Sequence, residues 1–319
     1  MAKAHRYIAP TLGGLVFLAA LFVLRHELKA YDVVDIAARV KAMPTTSALI
    51  AFLLTAANYF IMTGYDYLAL RYIHKPLHYA KIVLVSFIGY SFSNNLGLSM
   101  VAGGSVRYRL YSGWGLSPGE VARVIAFCIM TLWLGFFALC ALVFLYEPMT
   151  LPQALHLPFT SARPIGFILL ALVIAYLLGC SVWRDRLKIA SWNLRLPSAK
   201  YFVPQMTVAF IHWGLAGGVV YSLLPKTPDL TYAGFMSIYL LAQLGGLLSQ
   251  VPGGLGVFES IIVVLLSSRI PSPALLGSLL VFRGVYYICP LIVASVLFAA
   301  QELFQKRHTI KAAARALKR

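Results

Sequence analysis

Residues 249–260 read SQVPGGLGVFES, one Pro, three Gly and a carboxylate set inside an otherwise apolar region. The environment that tolerates such a break decides the fold. A helix in lipid satisfies its own backbone groups, so Pro252 with Gly253, Gly254 and Gly256 interrupts it only where protein or trapped water takes over the freed N–H and C=O groups. Glu259 then lies within the membrane. A second interruption of the same character, SFSNNLGLSMVAGGSVRYR at residues 91–109, contains Gly103 and Gly104. Broken apolar segments in corresponding positions of two halves point to the substrate site of a transporter.

Outward from these breaks the chain stays apolar. Of 319 residues, 60% are hydrophobic and 12% charged, where a water-soluble domain carries about 25% charged residues; mean hydropathy is +0.80. This excludes a soluble globular fold and predicts an all-α polytopic membrane protein. The net charge of +17 arises from 27 Lys and Arg against 10 acids, placed mainly between and beyond the apolar runs. Such placement suits an anionic cytoplasmic membrane surface, at ~1 kcal/mol per nearby basic residue, and not nucleic acid. Cys128, Cys140, Cys180 and Cys289 sit in apolar stretches without metal-ligand spacing and read as small hydrophobes. The chain shows no P-loop, dinucleotide glycine pattern or nucleophile with its base, so neither cofactor nor metal is expected and an ATP-driven pump is disfavoured.

Residues 7–24 are long enough to span, and without a small-residue cleavage signature before Arg25 they read as a retained helix. Residues 25–44 fit an interfacial helix. Further spans are expected at 46–70, 121–146, 164–183, 202–224 and 274–300. The positive-inside rule puts the basic segment 184–200 and the basic tail 304–319 in the cytoplasm. Counted from that point, 82–106 begins and ends inside while 232–268 begins and ends outside. The expected fold has about six full spans plus two broken re-entrant helical hairpins entering from opposite faces. Halves 46–146 and 202–300 then form an inverted repeat within a single transmembrane domain, 1–303. The four basic residues in 25–41 fall outside in this scheme, against the rule.

Depth counting at ~1.5 Å per residue places Arg283 about 14 Å from the outer boundary, and Glu259 at a similar depth, so the two can pair. Intramembrane charges mark functional sites by default. The alternative is a buried pair that only fixes the hairpin against the last helix, and both readings stay open. Ser105, Arg107, Tyr108 and Arg109 follow the glycines at the inner mouth of the first hairpin, where two guanidinium groups can grip a phosphate. Anchoring a helix end by positive charge explains them equally well. Asn94, Asn95, Gln243 and Gln250 supply polar groups for a headgroup or for broken backbone, with helix capping expected of at least one asparagine. Asp66 is expected to pair with Arg71, and His212 to be a hydrogen-bonded interior residue.

At VAGGSVRYRLYSGWGLSPGE (101–120) and SQVPGGLGVFE (249–259) the chain resembles the transmembrane, flippase region of the lysylphosphatidylglycerol synthase/flippase family, also called multiple peptide resistance factors. It is similar as well to the short inner-membrane relatives that lack the synthase domain. The likeness covers nearly all of residues 7–300. In two-part members this region is taken to flip aminoacylated phosphatidylglycerol outward while a cytoplasmic domain makes the lipid, a system tied to antimicrobial peptide resistance. The resemblance implies a multi-pass lipid translocase of a bacterial inner membrane, its C-terminus cytoplasmic, binding a phospholipid headgroup between the hairpins, and it is compatible with an oligomer. With the sequence ending at Arg319, aminoacyl transfer by this chain is not expected. The alternative is the membrane half of a lipid-modifying system that works with a separate catalytic enzyme, and a third reading is a non-transporting scaffold.

Overall fold

Helices form here wherever the chain is continuously apolar, because only a helix closes every backbone hydrogen bond without water. The structure, a computed structural model, describes residues 43–95, 99–147, 160–182, 199–248 and 252–316, together with residue 41 and the pairs 188–189 and 192–193. In order they form α1 (Thr45–Tyr72), α2 (Tyr79–Asn95), α3 (Ser99–Gly113), α4 (Pro118–Tyr146), α5 (Arg163–Val182), α6 (Phe202–Leu223), α7 (Tyr232–Leu248), α8 (Val257–Leu266), α9 (Ser272–Phe282), a π turn (Arg283–Ile288) and α10 (Cys289–Ala316). Between α5 and α6, Lys188 pairs with Asn193 and Ile189 with Trp192 in a two-residue antiparallel ribbon.

Among the described residues five stretches are long and apolar enough to cross a membrane: Thr45–Tyr72, Pro118–Tyr146, Arg163–Ser181, Phe202–Leu223 and Ser272–Phe304. The chain is an all-α polytopic membrane protein. The expected span at 7–24 and nearly all of the expected interfacial helix at 25–44 lie outside the described residues. So do most of the loops 147–163 and 184–200. The last helix does not stop at residue 300 but runs on to Ala316, through basic residues read from sequence as a tail.

Both broken regions are helical hairpins. Their arms have 17 and 15 residues in α2 and α3, and 17 and 10 in α7 and α8. At ~1.5 Å per residue these reach roughly 15 to 25 Å, short of the ~30 Å of hydrocarbon. The arms pack antiparallel: a Cβ on Gly103 would collide with Ser93 Oγ and come within 2.8 Å of the Gly89 carbonyl, and one on Gly254 would lie 3.1 Å from Gly246 Cα. The second break falls where the sequence puts it. Pro252–Gly254 form one 3₁₀ turn, and Gly253, Gly254 and Gly256 have φ of 60°, 65° and 77°, the region glycine enters without steric cost.

The first hairpin corrects the sequence reading. Its arms are 79–95 and 99–113, not confined to 82–106, and residues 96–98 between them lie outside the described residues. Gly103 and Gly104, expected to form the break, lie inside α3. In a membrane helix a small residue serves close approach of a neighbour as readily as a break, and Gly103 does so against α2.

Helices α1 and α6 pack along each other and run antiparallel. Tyr72 sits edge-on to Tyr201 at 5.9 Å, a Cβ on Gly64 would contact Val208 Cγ2 at 2.9 Å, and one on Gly218 would meet Leu54. Beside them α4 starts on a capping box: the Glu120 carboxylate accepts the Ser117 N–H at 2.8 Å, Ser117 Oγ accepts the Glu120 N–H at 3.4 Å, and Pro118 follows the cap. Further along, α4 lies so close to α6 that a Cβ on Gly135 would collide with Ala209. Gly135→Ala should therefore destabilise by ~1–3 kcal/mol through overpacking, although alanine is the better helix former by ~1 kcal/mol. A thermal-unfolding midpoint in detergent lowered by roughly 2–6 °C is the expected result; an unchanged or higher midpoint would show that α4 and α6 can separate there freely.

Candidate functional site

Where α7 gives way to the Pro252–Gly254 turn, α8 begins with Glu259 in its first turn. One carboxylate oxygen, Oε2, accepts the Gly256 N–H at 2.8 Å. The other, Oε1, accepts Arg283 Nε at 2.7 Å, with Nη2 also at 2.7 Å. Arg283 donates through Nη1 to the Gly253 carbonyl, a group freed by the break, and its guanidinium lies over Tyr287 at 4.6 Å and Phe258 at 5.8 Å. Arg283 is 1% exposed and Glu259 7%. The pair expected from depth counting is therefore formed, and the arginine also takes up part of the broken backbone.

Beside this pair, which touches the Tyr287 ring, a network of polar contacts joins α1, α6 and the Arg283–Ile288 turn to the first hairpin. His212 Nδ1 and Asn58 Oδ1 are 3.1 Å apart, and Asn58 Nδ2 donates to Tyr286 Oη at 2.6 Å. Tyr59 Oη donates to the Tyr286 carbonyl at 3.2 Å and accepts from Asn94 Nδ2 at 3.4 Å. Asn95 Nδ2 donates to the carbonyls of Ser91 at 2.7 Å and Tyr287 at 3.3 Å. His212 is thus an interior hydrogen-bonding residue, flanked edge-on by Tyr65 and Trp213.

A second charged centre lies on α1. Asp66 is fully buried and pairs with Arg107 of α3, not with Arg71. Its Oδ1 accepts Arg107 Nε at 2.8 Å and Tyr111 Oη at 2.9 Å; Oδ2 accepts Arg107 Nη2 at 2.8 Å and Ser86 Oγ at 2.7 Å. The forked geometry is the strong one for arginine and carboxylate. Arg107 also lies over Tyr90 at 4.4 Å, while Arg71 lies over Tyr67 at 5.2 Å. Burial decides the partner: a carboxylate inside the bundle gains most from a guanidinium that is also inside.

Arg109, two residues on and on the other side of α3, pairs instead with Glu302 of α10 at 2.8 Å, both partly exposed. Arg107 and Arg109 thus do not converge on a shared pocket. Of the other residues singled out, Ser105 and Tyr108 are half-buried on α3 and Gln243 half-buried on α7, while Gln250 lies outside the described residues. Asn94, Asn95, Glu259 and Arg283 come together with Asn58, Tyr59, Tyr286 and Tyr287 as one cluster between the hairpins. Such a site can exchange internal charge pairs and hydrogen bonds for those of a charged ligand. Asn58 and Asp66 were missed as centres, although with Tyr59 and Tyr65 they recur along one face of α1 at helical spacing. Glu302 had no signal beyond being an acid at the end of a span.

A family model described as the lysylphosphatidylglycerol synthase TM region matches residues 11–294. The chain is 39% identical over 306 residues to the uncharacterized protein slr0712 of Synechocystis, covering 96% of this chain and 95% of that protein. It is 30% identical over 313 residues to the inner membrane protein YbhN of Escherichia coli, covering 96% and 97%. A phosphatidylglycerol lysyltransferase of Staphylococcus aureus is 23% identical over 300 residues, which are 92% of this chain but 34% of that protein.

Proposed function

The chain belongs to the lysylphosphatidylglycerol synthase transmembrane-region family, and from that premise we propose that it is a lipid translocase, moving a phospholipid such as aminoacyl-phosphatidylglycerol across a bacterial inner membrane. The observation that carries this reading is the pair of helical hairpins too short to cross, with a buried Glu259–Arg283 pair and an asparagine–tyrosine cluster between them. Intramembrane charge facing a protein interior is costly to keep and marks substrate paths, and discontinuous helices meeting in a bundle are a recurrent transporter plan. The likeness to an E. coli inner membrane protein supports the location, and the basic residues of 184–200 and 304–319 favour a cytoplasmic C-terminus under the positive-inside rule.

In this scheme Arg109, the more accessible guanidinium of the first hairpin, takes the lipid phosphate in exchange for Glu302, while Arg107 stays bound to Asp66 and positions α3. Glu259 then meets a cationic headgroup, or Arg283 an anionic one, while the acyl chains remain in the bilayer. Outward movement of a lysyl lipid would place positive charge on the outer surface and weaken its attraction for cationic peptides.

Vesicles reconstituted with the full chain and a headgroup-labelled lipid test the reading. Arg109→Ala at equal protein level should slow translocation about tenfold, the equivalent of one charge-assisted hydrogen bond of ~1.5 kcal/mol. Lysylphosphatidylglycerol and phosphatidylglycerol, run side by side, show whether the cationic headgroup matters. No translocation of either lipid by the wild-type chain would remove the proposal. A second reading, membrane half of a lipid-modifying system with a separate catalytic partner, draws on the match to a lysyltransferase over only 34% of its length. A change in cell lipid composition on deletion, without a flipping defect, would favour it.

A further inference from the structure

The 33 residues from Ser272 to Phe304 form one apolar helical stretch, yet the hydrogen-bond register changes midway. Arg283–Ile288 is a π turn, closed by the Cys289 N–H donating to the Gly284 carbonyl, five residues back. Pro290 bears on this directly. It has no N–H to donate to the carbonyl of Tyr286, four residues before it, and an unpaired carbonyl inside a membrane bundle costs ~1–3 kcal/mol. Tyr59 of α1 takes up that carbonyl at 3.2 Å and in turn accepts from Asn94 of the first hairpin at 3.4 Å. The next carbonyl, on Tyr287, accepts from Asn95 at 3.3 Å. At the other end of the turn Arg283 holds the second hairpin through Glu259 and the Gly253 carbonyl. One turn of six residues therefore grips the tips of both hairpins.

A π turn holds one residue more than the α register needs, and such turns gather at functional sites. Moving that residue into α register would swing α9 against α10 by about 100°, the rotation per residue at 3.6 per turn. The side chains of Tyr59, Asn95 and Arg283 oppose that swing from both sides. We infer that the π turn is a mechanical joint: it locks the two hairpins to a single helix, so that displacement of one tip is transmitted to the other. The use of this link in transport rests on the translocase reading; the link itself does not.

Hydrogen exchange of the full chain in lipid nanodiscs, read by mass spectrometry on peptides covering 88–95 and 252–266, tests the joint. Glu259→Gln loosens the second hairpin and should also speed exchange at 88–95 roughly three- to tenfold, the factor set by one hydrogen bond of ordinary net worth. Asn95→Ala should do the same at 252–266. Exchange that rises only in the hairpin carrying the substitution overturns the joint. Pro290→Ala restores a donor to the Tyr286 carbonyl, so Tyr59→Phe added to it should leave exchange where Pro290→Ala alone puts it. An undiminished effect of Tyr59→Phe overturns the part given to Pro290. Neither readout measures flipping, so failure of the joint and failure of the translocase reading are seen separately.

Discussion

Asp66→Asn should unfold the protein more readily than any other single change of similar size. The carboxylate is fully buried and accepts four hydrogen bonds, two of them from Arg107. Asparagine keeps the shape but removes the charge, leaving a guanidinium that is 4% exposed without its counter-ion. Breaking a buried pair on one side costs ~3–5 kcal/mol, a large share of the ~5–15 kcal/mol that holds a domain together. The thermal midpoint in detergent should fall by on the order of 10 °C. Replacing both partners, Asp66→Leu with Arg107→Met, should recover most of the loss, because an apolar pair of similar volume carries no desolvation cost. A midpoint for Asp66→Asn within about 2 °C of wild type, where ~3–5 kcal/mol is expected, would mean that the pair does not hold α3 to α1.

The second large effect separates fastening from transport. Glu259→Gln leaves Arg283 its Gly253 carbonyl and its two aromatic faces, so stability should drop by only ~2 kcal/mol, near the worth of a charge-assisted hydrogen bond. Arg283→Met removes the group that satisfies both Glu259 and the broken backbone, and should cost more, ~3–5 kcal/mol. Translocation should fall at least about thirtyfold in either, the rate equivalent of ~2 kcal/mol. The double variant Glu259→Gln with Arg283→Met is decisive. If it regains stability but not translocation, the charges meet the cargo; if it regains both, they are a fastener, and the chain's site lies elsewhere.

These pairs also show what the sequence could disclose. Pro252, Gly253 and Gly254 announced their break because the rule behind it is local: backbone freed in lipid must be satisfied nearby. Glu259 and Arg283 could be matched because counting inward from two helix ends gave them one depth. Asp66 could not be matched in that way. Arg71, in the next turn, offered a local partner, while the true one lies 41 positions away on the far arm of a hairpin. Its choice is made by burial, which no spacing records. Gly103 was misread for a related reason: a glycine that admits a neighbouring helix and one that ends its own look alike until the neighbour is in place. Tyr286 and Tyr287 read from sequence only as side chains that line a cavity or pack; Pro290, which lacks the N–H for the carbonyl four residues back, points to the backbone of Tyr286.

The ten residues of α8 bear on the bilayer as well as on the protein. At ~1.5 Å per residue the arm reaches about half of an ordinary hydrocarbon layer, and beyond its end lipid tails face no apolar partner of their own length. Such hydrophobic mismatch is relieved by local thinning, at fractions of a kcal/mol per Å. A leaflet that meets this arm is expected to be drawn inward there, bringing its headgroups nearer the midplane.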